Sequence, residues 1–189
     1  MQTLKSINES NFGKYQLKEV SLDADKVKHY VSSNSPYICL LPFEKTEDNQ
    51  ISSVYILKYI NPSTENTDYS LIVDEFDLDL ESTSYDSVKR SLTEEAGLDI
   101  EALGITEDRI FYLGDITMSI PVNAKMMCYG IDLTNLSKDQ IQFTRTLAKD
   151  HFIKDTSSII KIGFHQLVNG DYSDSTILSG TFLLASYFV

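Results

Sequence analysis

The sequence has no apolar run that approaches the ~20 residues a membrane-spanning helix needs. Its first ten residues also lack the apolar segment of a secretory signal. We therefore expect a soluble protein that works in the cytoplasm, or within a particle assembled there.

Cysteine is scarce, and basic residues are outnumbered. Cys39 and Cys128 both lie in apolar runs and are predicted to be reduced core residues, because two thiols define neither a disulfide framework nor a zinc site. The three histidines show no ligand spacing.

Sixteen Lys and Arg against 28 Asp and Glu give a net charge of -12. That charge argues against direct nucleic-acid binding, which uses a basic face, although a nucleotide held through a metal ion is not excluded.

A chain of 189 residues can bury roughly 70% of its unfolded surface in one domain. We predict an N-terminal extension over residues 1–35, made of a polar loop and a short helix from Leu22 to Val31, and one domain over residues 36–189. The first eighteen residues have little apolar surface to dock on their own domain. We expect a neighbouring copy or another protein chain to hold them.

Apolar and alternating stretches predict the β-strands of the main domain, with Pro42 at an edge or near a strand end. The predicted strands are Tyr37 to Phe43, Ser53 to Ile60, Tyr69 to Val73, Arg109 to Leu113, Ile116 to Ser119, Lys125 to Leu133 and Ser157 to Ile162. A capping-box pattern at Ser137 predicts a helix from Leu136 to Phe152, and Asp174 or Ser175 is expected to cap a final apolar helix.

One further helix is predicted over Asp86 to Leu98. Tyr85, Val88, Leu92 and Ala96 recur every three or four residues and form an apolar stripe, and Gly97 stands where a helix end favours a left-handed residue.

A neighbouring face of this helix carries polar groups. Ser91, Glu94 and Glu95 share that face, and Arg90 lies one turn before Glu94 and can pair with it. By itself, a pair of glutamates on a surface helix is typical of a solvated acidic face.

The string R-S-L-T-E-E-A-G-L, residues 90–98, resembles the second half of the Nudix box, Arg-Glu-U-x-Glu-Glu-x-Gly-U with U aliphatic. Six of its seven fixed positions match, and Ser91 stands at the position of the first glutamate. The order of the segments after the box resembles ADP-ribose pyrophosphatase-type Nudix proteins out to residue 189. The resemblance implies a Nudix-like α/β/α sandwich with a mixed sheet.

The resemblance also implies a chemistry. Glu94 and Glu95 would hold Mg²⁺ or Mn²⁺, with Arg90 orienting them, and the metal would activate water against a nucleoside diphosphate derivative such as ADP-ribose. The first half of the box is eroded, because Ser82 and Phe76 stand where the pattern has glutamate and glycine. Glu81, one residue away, is a candidate third ligand if a single insertion is allowed.

The segment from Phe76 to Glu81 alternates apolar and acidic residues and is predicted to be a strand or extended arm. Its acidic edge is either a solvated face or, together with Asp74 and Glu75, a source of further oxygen ligands for a metal.

The catalytic base is the element that the sequence lacks. A serine hydroxyl is neither a base nor a strong metal ligand at neutral pH, and no glutamate follows Glu107. Aspartates such as Asp139, Asp150 and Asp155 remain for that role. We hypothesise a non-catalytic structural or interaction component of an oligomer or larger assembly. The alternatives are a ligand-binding pseudoenzyme and an active Nudix hydrolase.

Overall fold

The computed structural model describes residues 6–12, 15–23, 26–33, 36–61, 64–76, 83–118, 122–136, 141, 158–170, 172 and 174–188. The strands, in chain order, are β1 (Ser6–Phe12), β2 (Tyr15–Asp23), β3 (Lys26–Ser33), β4 (Tyr37–Lys45), β5 (Ile51–Ile60), β6 (Thr67–Ser70), β7 (Ile72–Glu75), β8 (Ile110–Met118), β9 (Val122–Asp132) and β10 (Ser158–Gly163). The helices are α1 (Ser84–Ala96), α2 (Phe164–Asn169) and α3 (Ser175–Tyr187), with a short 3-10 turn at Glu107–Arg109.

These strands form one mixed sheet with the order β1-β2-β3-β9-β4-β5-β10, to which β6, β7 and β8 add through β5, β4 and β9. The pairs β3 with β9 and β4 with β9 are parallel, and the other pairs are antiparallel. The predicted mixed sheet is thereby confirmed.

Helices cover both faces of the sheet. Side chains of α1 pack with one set of strand residues that includes Ile38, Leu40 and Ile131, whereas α2 and α3 pack on the opposite face against Leu41 and Val54. Successive residues of β4 alternate between these two cores, as the pleat of a strand requires. The α/β/α sandwich is therefore confirmed.

The predicted N-terminal loop and helix are wrong, because residues 6–12, 15–23 and 26–33 form a three-stranded antiparallel meander. Val27 and Val31 misled the prediction, since a spacing of four repeats one face of a helix and also one face of a strand. The β-branched and aromatic residues of K-V-K-H-Y-V favour the strand. A short parallel ladder, Val31 with Val122 and Ser32 with Asn123, joins the meander to β9.

Pro42 was predicted at an edge or near the end of its strand, but it lies within β4, which is a central strand and continues to Lys45. On one side β4 pairs with β9 from Tyr37 to Phe43. On the other side the ladder with β7 ends at Leu40 of β4, and the ladder with β5 begins at Phe43. Proline has no N–H to donate, and the gap between the two ladders accommodates it.

Two further strand predictions differ in detail. The predicted strand from Tyr69 to Val73 is divided at the buried Leu71, where the chain leaves β5 and joins β4. The two short strands predicted around Gly114 form the single strand β8, with a register shift between Tyr112 and Gly114. The extra residue at this β-bulge is Leu113, whereas Gly114 keeps its pairing with Cys128, so the strand continues past the glycine.

The end of the chain follows the prediction. Asp174 caps α3, because its Oδ1 accepts a hydrogen bond from the backbone N–H of Thr176 at 2.8 Å. The predicted helix from Leu136 to Phe152 lies almost wholly outside the described residues.

In the part of the chain that the structure describes, no helix has both the length and the apolar character needed to cross a bilayer.

Candidate functional site

Helix α1 carries the candidate site, and its ends are fixed by local sequence. The hydroxyl of Thr83, the N-cap, accepts a hydrogen bond from the backbone N–H of Asp86 at 3.2 Å. Gly97 ends the helix in the left-handed region at φ 67°, and its N–H bonds to the carbonyl of Thr93 at 3.1 Å. The predicted helix and its glycine stop are confirmed.

One face of α1 packs against the sheet. Val88, Leu92 and Ala96 are fully buried, as the apolar stripe predicted. Two serines, Ser87 and Ser91, are fully buried as well. Ser91 was expected to lie with the glutamates on a polar face, but it points inward at the margin of the core.

Arg90 ties α1 to β7. Its Nη1 lies 2.5 Å from Oδ2 of Asp74, and its Nη2 donates to the carbonyl oxygen of Glu75 at 2.7 Å. The predicted pair with Glu94 also forms, at a longer Nη1 to Oε2 distance of 3.2 Å. The planar guanidinium fork thus bridges the strand and the helix.

Asp74 is the acceptor at the centre of this arrangement. Its Oδ2 also accepts a hydrogen bond from Oγ of Ser91 at 2.8 Å, and its Oδ1 accepts the backbone N–H of Glu75 at 2.7 Å. One carboxylate is therefore shared by a guanidinium, a hydroxyl and an amide. The sequence singled out Asp74 only as a possible metal ligand, and the contact with Ser91 carries no sequence signal because the two residues are seventeen positions apart.

The described residues do not by themselves complete a divalent metal site. Glu94 is exposed, and Glu95 is half-buried. Within the described ranges, no three His, Cys, Asp or Glu side chains come together so as to hold a metal ion. Glu81, the third candidate ligand, lies outside these ranges, as do Asp139, Asp150 and Asp155.

A small cavity lies beside Glu95. It has a volume of about 110 Å³ and is lined mainly by apolar residues at the crossing from β5 to β4, which include Leu57, Leu71 and Val73. Sites for small ligands usually measure ~300–1,000 Å³. This cavity by itself is thus small for a nucleoside diphosphate.

The two cysteines are buried free thiols, as predicted, and the structure adds that they are neighbours. Cys39 on β4 and Cys128 on β9 are register partners in the parallel ladder. Burial raises the pKa of the Cys39 thiol, and its hydrogen bond with Cys128 raises it further.

An ion pair lies at the end of the β4–β9 ladder that is farther from Tyr37. Lys45 Nζ lies 2.7 Å from Oδ2 of Asp132, and both side chains are largely buried. Burial raises the pKa of Asp132, but the hydrogen bonds from Lys45 and Thr134 outweigh it and hold the pKa below its ordinary value. This pair belongs to the framework, because it joins β4 to the end of β9.

Comparison with solved structures shows that this architecture is the Nudix hydrolase fold. An ADP compounds hydrolase matches with a TM-score of 0.58 at 12% identity, over 98% of this chain and 92% of that one. The Nudix domain of Shewanella oneidensis NrtR, solved in complex with ADP ribose, matches with a TM-score of 0.53 at 12% identity, over 81% of this chain and 87% of that one.

A further structure of Shewanella oneidensis NrtR matches with a TM-score of 0.51 at 13% identity, over 82% of this chain and 63% of that one. No family model and no curated protein matches the sequence. The likeness is one of fold, and the predicted Nudix relationship is confirmed at that level.

Proposed function

We propose that this chain is a non-catalytic Nudix-fold protein that serves as a structural or interaction component of an oligomer or larger assembly. The observation that carries the proposal is Ser91. It stands at the box position where the pattern has glutamate, and its hydroxyl is fully buried and donates to Asp74. A hydroxyl so engaged supplies neither a base nor a metal ligand.

The surroundings of Ser91 fit serine better than glutamate. A glutamate in that position would bring a second carboxylate beside Asp74 in a largely buried place, where like charges repel strongly. Arg90, which in an active box would orient the metal-binding glutamates, is shared between Asp74, Glu75 and Glu94. These contacts support a structural role for Arg90 and Ser91, in which they fix α1 on β7.

The N-terminal extension, residues 1–35, supports an interaction role. In the strand order of the described residues, β1 stands at the end of the sheet and pairs only with β2. An edge strand presents backbone groups to which another chain can add. The partners we propose are further copies of this chain or other proteins, and the site of action is the cytoplasm or a particle assembled there.

The alternative function is Mg²⁺- or Mn²⁺-dependent hydrolysis of a nucleoside diphosphate derivative. It is favoured by the fold likeness to an ADP compounds hydrolase and to a domain that binds ADP ribose. Glu94, Glu95 and Glu81 would hold the metal, and Asp139, Asp150 or Asp155 would have to act as the base. A pseudoenzyme that binds such a ligand without cleaving it is the intermediate case.

The deciding experiment compares wild type, Ser91→Glu and Glu95→Gln for cleavage of ADP-ribose with Mg²⁺ or Mn²⁺, with products separated by chromatography. We expect wild type to release no more product than Glu95→Gln does. Metal-dependent turnover by wild type that Glu95→Gln abolishes would overturn the proposal. Calorimetric titration of wild type with ADP-ribose separates the pseudoenzyme from the assembly component, because only the pseudoenzyme binds.

A further inference from the structure

We draw no further inference here: the strongest candidate, the outer face of α3 around Leu178 and Phe182 with the groove between α3 and the end of β8, carries no proposal because nothing in the structure shows what covers it.

Discussion

The hydroxyl of Ser91 on α1 donates a 2.8 Å hydrogen bond to Oδ2 of Asp74 on β7. Arg90 contacts the same oxygen from the next position of the helix. Arg90 and Ser91, two adjacent positions of the catalytic signature, thus join helix α1 to strand β7 in this protein. Each partner can be tested by its effect on stability, separately from any assay of activity.

The first prediction is that Ser91→Ala lowers the free energy of unfolding by about 1–2 kcal/mol, because a hydrogen bond to a charged acceptor is lost in a buried place. Urea denaturation measures it. Ser84→Ala, an exposed serine at the start of the same helix, is the control and should change stability by less than about 0.5 kcal/mol. Equal effects of the two substitutions would contradict a structural role for Ser91.

Arg90→Lys is the second test. The substitution keeps the charge but loses the fork that reaches Asp74 and the carbonyl of Glu75 together, so a loss of about 1–2 kcal/mol is expected. Lys89→Gln removes the exposed contact of Lys89 with Glu101 and serves as the control. Its effect should be small and should vanish in high salt. If both variants responded equally to salt, the contacts of Arg90 would be no more than a surface ion pair.

The third prediction concerns the two thiols. Because burial raises the pKa of Cys39 and Cys128 is equally buried, neither thiol should react with a disulfide reagent at pH 8 in the native protein. Both should react once guanidinium unfolds the chain. Ser84→Cys supplies an exposed thiol as the positive control. Rapid labelling of one native thiol would mean that the β4 and β9 ladder opens locally.

The sequence predicts the elements whose signals are local. Helix α1 has a strict apolar period and a glycine stop, and β4 and β9 are apolar runs of strand length, so all three were predicted close to their true bounds. The N-terminal segment has a pattern that fits both periods, because Val27 and Val31 are four residues apart. Its β-branched and aromatic residues favour the strand, and so does the hairpin that it forms with β2, but the ladder with β9 is long-range and cannot be predicted from the segment itself.

The candidate site divides in the same way. The spacing of Arg90 and Glu94 on one helix predicts their contact. The inward direction of Ser91 depends on where β7 lies, and the approach of α3 to Gly114 depends on a bulge in β8. Both relationships arise from tertiary packing, so the sequence pattern of α1 or of α3 does not predict them.

The fourth prediction follows from Asp132. Its folded pKa is lower than the unfolded value of ~3.9, so the pair with Lys45 stabilises the fold above that pH and ceases to do so as pH falls through the folded pKa. Asp132→Asn should therefore cost about 2 kcal/mol at pH 7, since Lys45 stays largely buried without its charge partner. The difference between the variant and wild type should shrink below pH ~4. Urea denaturation across pH 3–7 measures it, with Asp108→Asn, an exposed carboxyl, expected to differ from wild type by less than about 0.5 kcal/mol throughout. A constant difference for Asp132→Asn at every pH would mean that packing, and not the ionised pair, holds the end of β9 on β4.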